Sequence, residues 1–214
     1  LKKNLIRLLH IGDSQIEGDR ITAYLRHRFQ KQFGGCGVGM VPIQSHLESR
    51  HTLEHQTNEE WRRYIAYGEE RHLIHKNISL FKSSFRLETF EVDSSQTDSA
   101  GKPKKIYDPG PTEASAQYGM VSRWYPKNGY FRNLKVFYRN PRPPFQMQVQ
   151  LGQNFEQVEE FRDTLPGFEV WQHDLHPDST YQQVTLNVVS DSTSPDIYGV
   201  AFDCHQGVAF DNIA

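Results

Sequence analysis

The stretch Leu8–Gln15, with the sequence LLHIGDSQ, decides how the N-terminal part of the chain folds. A short apolar run ends at Gly12, and an acid and a serine follow it. Apolar residues then recur at the three-to-four spacing of an amphipathic helix until Gly34–Gly35 ends the pattern. The recurring residues are Ile21, Tyr24, Leu25, Phe29 and Phe33. The pattern predicts a strand, a tight turn and a helix, with Ser14 where the strand ends and the helix begins.

The position of Ser14 suits acyl chemistry. Open α/β sheets place their sites at the carboxyl ends of strands. The start of a helix also supplies unpaired backbone N–H groups and a partial positive charge, which stabilise an oxyanion. The alternative is a Gly-Asp-Ser turn that only caps a helix, because Asp and Ser are favoured capping residues.

The segment Ile11–Ser14, followed by Gly18 and Asp19, resembles the first sequence block of the SGNH (GDSL-type) hydrolases. The resemblance implies that Ser14 is the nucleophile that accepts the acyl group and that its backbone N–H forms part of the oxyanion hole. It implies a supporting, locally hydrogen-bonding role for Asp13. It covers about the first 40 residues.

Composition limits the partners of the chain. Its 214 residues include 24 basic and 26 acidic side chains, for a net charge of -2, and could form one large or two small domains. This charge balance gives no reason to expect nucleic acid as a partner. No apolar run approaches the ~20 residues of a membrane span. We also expect no cofactor and no metal ion.

The two cysteines, Cys36 and Cys204, fit no metal-ligand spacing. Because a sequence does not show whether two cysteines lie close together, a disulfide stays open, but two buried free thiols are favoured. Cys36 lies in a glycine-rich stretch, 34–39, with four glycines in six residues. Glycine accepts positive φ angles and close approach, so we expect a loop near Ser14.

The segment His51–His55, with the sequence HTLEH, matches the H-x-x-E-H pattern of inverted zinc peptidases. On a helix, its two histidines would share one face and bind zinc, with Glu54 as the base. However, no amphipathic helix surrounds the motif, and a chain with ten histidines produces such patterns by accident. A solvated loop at the rim of a site is the favoured interpretation.

From about Asn77 the pattern changes to alternating strands, of which Phe145–Leu151 is the cleanest. Strands about ten residues apart, separated by turn signals, are typical of a β-sandwich. The predicted fold class is therefore α+β: a partial N-terminal α/β strand–helix unit joined to a mainly antiparallel, jelly-roll-like β-sandwich.

The same arrangement is similar to SGNH enzymes, including bacterial peptidoglycan O-acetylesterases, that carry an inserted β-sandwich resembling a carbohydrate-binding module. The resemblance implies three parts: residues 1–76 of the hydrolase domain, a sandwich at 77–200, and a strand within 201–214 that returns to the hydrolase sheet. It also implies a periplasmic or cell-surface enzyme that removes acetyl or other short acyl groups from a glycan.

A serine nucleophile needs a base and an acid that orients the base. The SGNH family supplies both from an Asp-x-x-His block, which is absent from this sequence. The segments Asp174–His176 and Asp203–His205 have one intervening residue and lie among the predicted β-strands, and His10 is expected to pack in the sheet. We therefore expect that the C-terminal half of the hydrolase domain is missing and that the isolated chain is inactive.

A second hypothesis is a non-catalytic β-sandwich that binds carbohydrate or protein. Trp124 and Trp171, with Tyr125, Tyr130 and Tyr181, would then form a platform on which sugars stack. Aromatic residues also dominate cores, and core or rim packing is the favoured interpretation of these five.

Overall fold

The computed structural model describes residues 4–45, 49–65, 79–97, 101–108, 112–140, 144–152, 157–163, 167–174, 179–190 and 194–214. The helices are α1 (Ser14–Glu17) and α2 (Arg20–Phe33), with a 3₁₀ turn at Pro126–Asn128. The strands are β1 (Leu5–Ile11), β2 (Gly39–Val41), β3 (Ser49–Arg50), β4 (Leu53–Thr57), β5 (Trp61–Ile65), β6 (Ser83–Leu87), β7 (Thr89–Thr97), β8 (Pro103–Asp108), β9 (Thr112–Met120), β10 (Asn133–Asn140), β11 (Phe145–Leu151), β12 (Gln157–Asp163), β13 (Gly167–Asp174), β14 (Gln183–Ser190), β15 (Asp196–Asp203) and β16 (Gly207–Ile213). Neither described helix is long and apolar enough to cross a bilayer.

Two six-stranded antiparallel sheets form a β-sandwich. One has the strand order β13-β10-β15-β6-β5, with β2 also paired to β15, and the other has the order β12-β11-β14-β9-β4-β3. Both sheets contribute to one apolar core, because side chains alternate between the two faces of each strand. In β11, every second residue from Phe145 to Leu151 is buried. The prediction of a mainly antiparallel β-sandwich is confirmed.

The N-terminal segment forms the predicted strand, turn and helix. Strand β1 pairs in parallel with β16, from Leu5 opposite Gly207 to Ile11 opposite Ile213, and α2 packs on β16. Two parallel strands are too few to establish an SGNH-type α/β domain, so that assignment stays a prediction. The three-part division of the chain also stays a prediction. The sandwich sheets take in β2, β3, β4 and β5 from the segment assigned to the hydrolase domain.

The buried face of α2 is not the apolar stripe that predicted the helix. Its buried residues are Thr22, Ala23, Arg26 and Gln30. Apolar residues remain exposed instead, with 49% of Ile21 and 57% of Phe33 accessible, and Ile11 at the end of β1 is 71% exposed. The helix packs on β16 through hydrogen-bonding groups and through the ring of Phe29, which lies 5.5 Å from that of Phe210. Both β1 and α2 also present uncovered apolar surface.

The glycine-rich stretch 34–39 packs against the protein rather than facing the Ser14 cleft. Gly37 and Gly39 have φ angles of 78° and 77°, which favour glycine. A Cβ at Gly37 would collide with the carbonyl of Phe202, and one at Gly39 with the carboxylate of Asp211. These glycines let the chain pass closely over β15 and β16.

The expectation of two free thiols is wrong: Cys36 and Cys204 form a disulfide, with their Cα atoms 5.2 Å apart. The bond joins the loop after α2 to the end of β15, across 168 residues of sequence. The strand pairings bring these distant positions together, and the cysteine spacing alone gave no signal of it. The disulfide therefore ties the N-terminal strand–helix unit to the sandwich.

Replacing both cysteines, as Cys36→Ser with Cys204→Ser, should lower the free energy of unfolding by about 2–5 kcal/mol, because the crosslink restricts the unfolded chain. Urea unfolding of the variant and of the oxidised and reduced native protein measures this. The variant should match the reduced protein. Two titratable thiols in the denatured, unreduced protein would contradict the disulfide.

Candidate active site

Ser14 lies at the carboxyl ends of the two parallel strands. It is the first residue of α1, directly after the turn that follows β1, and it is exposed. The backbone N–H of Gly12 donates to the carbonyl of Ile213 at 3.1 Å, which extends the parallel ladder to the edge of the turn. Ser14 therefore occupies the strand-to-helix position that its sequence context predicts.

Asp13 is the capping residue of α1. Its carboxylate accepts a hydrogen bond from the backbone N–H of Gln15 at 3.0 Å, and its carbonyl accepts one from Ile16 at 3.1 Å. The N–H of Ser14 is at the first helical position, where no intrahelical acceptor exists. Asp13 thus fixes the turn locally, as both interpretations of the motif expect.

A buried ion pair lies directly behind α1. Asp19 and Arg26 are 2% and 1% exposed, and the guanidinium donates two hydrogen bonds to the carboxylate, at 2.9 and 3.0 Å. The Thr52 hydroxyl donates a third at 2.5 Å, and the side-chain amide of Asn212 donates a fourth at 3.2 Å. Burial alone would raise the pKa of Asp19, but the charge and hydrogen bonds of Arg26, the hydrogen bond from Thr52 and the charge of Arg50 together hold that pKa below its ordinary value.

The same network ties α1 to β16. The amide of Asn212 also donates to the carbonyl of Ile16 at 2.7 Å, and Nε of Arg26 donates to the carbonyl of Phe210 at 2.7 Å. Asp19 itself adopts the left-handed conformation, with a φ of 62°. The orientation of the Ser14 turn therefore depends on the buried hydrogen bonds among Asp19, Arg26 and Asn212.

A cleft of about 310 Å³ opens beside Ser14. The residues that line it are Gly12, Asp13, Ser14, Glu17, Pro42, Gln44, Ser45, Arg50, Arg63, Phe81, Lys82, Ser83 and Ala214. None of these described lining residues is a histidine, so the cleft brings no imidazole base to Ser14. It does bring together three basic side chains and two acidic ones.

The three basic residues come from separate segments. Arg50 is in β3, Arg63 is in β5, and Lys82 is in the turn before β6 with a φ of 55°. The backbone N–H of His51 donates to the carbonyl of Gly18 at 3.2 Å, which holds β3 beside α1. Burial lowers the pKa of Arg50, although its attraction to the Asp19 carboxylate opposes this effect.

The histidines of the zinc motif do not share a helix face. His51 is in a turn, with its ring 5.6 Å from that of Tyr125, and His55 is in β4. Among the described residues, no group of three His, Cys, Asp or Glu side chains could hold a metal ion. His10 packs between β1 and α2, where Nδ1 lies 2.8 Å from the hydroxyl of Thr22.

Asp203 and His205 lie at the far end of the parallel pair from Ser14. They precede β16 at the end where Leu5 pairs with Gly207, and a seven-residue strand spans roughly 20 Å. The buried Asp203 carboxylate instead accepts a hydrogen bond from Arg7. Burial raises the pKa of Asp203 to about 6, against the attraction of Arg7. This geometry does not suit a triad with Ser14.

The tryptophans proposed for sugar binding lie on different elements. Trp124 is 60% exposed in the loop after β9, with the guanidinium of Arg123 4.9 Å from its ring centroid. Trp171 lies in β13, but its side chain is outside the described part of the structure. The whole of His176 is outside the described residues. Asp174, at the end of β13, pairs with Asn133 of β10.

Sequence reasoning missed most of the residues around Ser14. The sequence of α2 contains a polar series at helical spacing, which could have indicated a polar buried face. The series consists of Thr22, Arg26 and Gln30. No local pattern links Arg50 or Arg63 to the Ser14 turn, because the sheet pairing alone brings their strands to the cleft.

No protein-family model and no curated protein matches this chain. Among solved structures, a peptidoglycan O-acetylesterase is similar to 98% of this chain and 47% of its own, with a TM-score of 0.56 and 18% identity. The chain thus spans about half the length of that structure, and at this identity the likeness shows the fold alone.

Two smaller structures are similar to 70% of this chain. One is GH31 CBM32-2 bound to GalNAc, with 95% of it covered, a TM-score of 0.38 and 12% identity. The other is the C-terminal domain of a chitobiase from Bacteroides fragilis, with 96% of it covered, a TM-score of 0.34 and 12% identity.

Replacing Asp19 by Asn should lower the free energy of unfolding by about 3 kcal/mol, because it leaves the buried Arg26 charge unpaired. Asn also tolerates the left-handed conformation of Asp19, which isolates the effect of charge. Since the pKa of Asp19 lies below its ordinary 3.8, the loss should persist down to about pH 4 and shrink only in stronger acid.

Chemical denaturation across this pH range measures the effect. Asp13→Asn is the matched control, since Asn and Asp cap helices about equally well, and it should change stability by less than about 0.5 kcal/mol. Equal stability of the two variants would contradict the structural role of the buried pair.

Proposed function

We propose that this chain carries the nucleophile of a serine esterase of the SGNH type that removes acetyl or other short acyl groups from a polysaccharide or cell-wall glycan. One observation carries the proposal: Ser14 is exposed in a cleft at the carboxyl ends of β1 and β16, at the first position of a helix. Strand-to-helix turns of this kind present nucleophilic serines in hydrolases. The fold likeness to a peptidoglycan O-acetylesterase supports the acylated glycan as substrate.

In the proposed reaction, Oγ of Ser14 attacks the ester carbonyl while its proton passes to a base. The carbonyl oxygen becomes an oxyanion that the backbone N–H of Ser14 helps to hold. The bond to the sugar oxygen then breaks, and that oxygen takes the proton from the base, which leaves the acyl group on Ser14. Water repeats the two steps and releases the carboxylic acid.

The base and its orienting acid are proposed to come from the remaining half of the hydrolase domain. The uncovered apolar side chains of β1 and α2, such as Ile11 and Phe33, support this partner, because parallel sheets are covered on both faces and large apolar patches mark interfaces. The 214-residue chain alone is therefore expected to hydrolyse esters no faster than its Ser14→Ala variant.

A periplasmic or secreted location is part of the same proposal. The disulfide between Cys36 and Cys204 supports it, because such bonds form and persist mainly in oxidising compartments.

The proposal is tested by measuring acetate release from an O-acetylated glycan. The enzyme in this assay is the natural gene product that contains this chain. Ser14→Ala should lower kcat/KM by at least about 10³-fold, because it removes the nucleophile. Ser122→Ala, an exposed serine outside the cleft, is the matched control and should keep full activity. Unchanged activity of Ser14→Ala, or no release from any acylated glycan, would contradict the assignment.

A second candidate function, glycan binding by the sandwich, is favoured by a row of uncharged polar residues. Gln150, Thr185, Gln117 and Gln56 lie directly opposite one another across β11, β14, β9 and β4. Each of the first three lies between two buried neighbours, so it faces away from the core. Part of the row lines a depression of about 330 Å³. Amide side chains both donate and accept hydrogen bonds, as sugar hydroxyls require.

Titration of the chain with neutral oligosaccharides, followed by NMR, tests this candidate. Binding should shift the amide signals of β9 and β14, and Gln117→Ala should weaken it roughly fivefold through the loss of one neutral hydrogen bond. Trp124→Ala should leave it unchanged. Loss of binding in Trp124→Ala alone would point instead to the aromatic platform. The absence of shifts in β9 and β14 would contradict glycan binding at the polar row.

A further inference from the structure

The cleft beside Ser14 collects positive charge from three unconnected segments. Arg50, Arg63 and Lys82 line it together with Ser14, although β3, β5 and the turn before β6 bring them from different parts of the chain. Backbone contacts hold each segment. Arg63 pairs with Phe85 of β6, and the N–H of Lys82 donates to the carbonyl of Ser79 at 3.0 Å.

The acidic residues of the cleft offset only part of this charge. Asp13 and Glu17 are the acidic side chains among its described lining residues, against three basic ones. Glu17 lies close enough to Arg50 to attract its charge. The described lining side chains therefore carry one more positive charge than negative charges, which favours an anionic ligand.

Arg50 has an unused donor. Its Nε is buried and has no hydrogen-bond partner among the described residues. A buried donor without a partner is costly, and a guanidinium matches the two oxygens of a carboxylate in a forked geometry. The hydroxyls of a neutral sugar would satisfy the donor without balancing the charge, whereas a carboxylate does both.

We propose that this cleft binds the carboxylate of an acidic sugar through Arg50, Arg63 and Lys82, next to the ester that Ser14 attacks. The link to the ester rests on the proposed esterase function, but the carboxylate subsite does not. A volume of about 310 Å³ is near the lower limit for ligand pockets and suits about one sugar unit. The substrates of this site are thus acylated acidic glycans, with the carboxylate on the ring or on a substituent of the acylated sugar.

The proposal is tested by titrating the chain with monosaccharides at low ionic strength and following binding by NMR. Glucuronate carries its carboxylate on the ring, and N-acetylmuramate carries it on a substituent. The neutral counterparts are glucose and N-acetylglucosamine. At least one acidic sugar should bind at least about tenfold more tightly than its neutral counterpart, and added salt should weaken it. The acidic sugar that binds better identifies the position of the carboxylate.

Arg50→Gln should weaken binding of the acidic sugar by about 10–100-fold, as expected for a lost charge-assisted hydrogen bond. Lys82→Gln is a second variant, at an exposed position, and should weaken binding about twofold to fivefold, roughly the value of one exposed charge. Lys105→Gln, in β8 and outside the cleft, is the matched control and should have no effect. Equal affinity for acidic and neutral sugars, or no binding of either, would overturn the proposal.

Ser14→Ala separates the subsite from the esterase function. It should keep the affinity for the acidic sugar, because binding of the carboxylate does not use the nucleophile. Selective binding by a gene product that releases no acyl group would support the subsite and contradict the esterase. An esterase that cleaves neutral and acidic glycans equally well would contradict the subsite alone.

Discussion

The buried pair of Asp19 and Arg26 is the interaction on which the Ser14 turn depends. Two charges removed from water are stable only when every hydrogen-bonding position is used, and here the carboxylate accepts two bonds from Arg26, one from Thr52 and one from Asn212. These partners belong to α2, to the turn before β4 and to β16. One carboxylate therefore fixes the helix, the sandwich and the parallel pair relative to Ser14.

Local patterns predicted the local structure. The apolar run before Gly12 and the helical spacing after it gave β1 and α2, and strict alternation gave β11 at Phe145–Leu151. The buried face of α2 was predicted less well, because its partners are the backbone and side chains of β16 rather than an apolar core. Apolar periodicity shows that a helix is amphipathic, but it does not show which face the protein covers.

The rest of the site depends on contacts that are distant in sequence. Thr52 and Asn212 are 33 and 193 residues from Asp19, and the disulfide joins residues 168 apart. Strands β3, β4 and β5 are short and have mixed polarity, so their alternation was too weak to recognise. They nevertheless bring Arg50 and Arg63 to the cleft. The position of Ser14 was thus predictable, whereas its surroundings are a product of the sandwich topology.

The two structural parts have different tasks: the strand–helix unit presents Ser14, and the sandwich edge supplies the charges beside it. In the proposed function, Ser14 carries the acyl group during turnover. Rapid quenching of the natural gene product with an acetylated substrate, followed by peptide mass spectrometry, tests this directly. Acetyl is expected on the peptide that contains Ser14. Acetyl on another residue, or acetate release without any acylated intermediate, would contradict it.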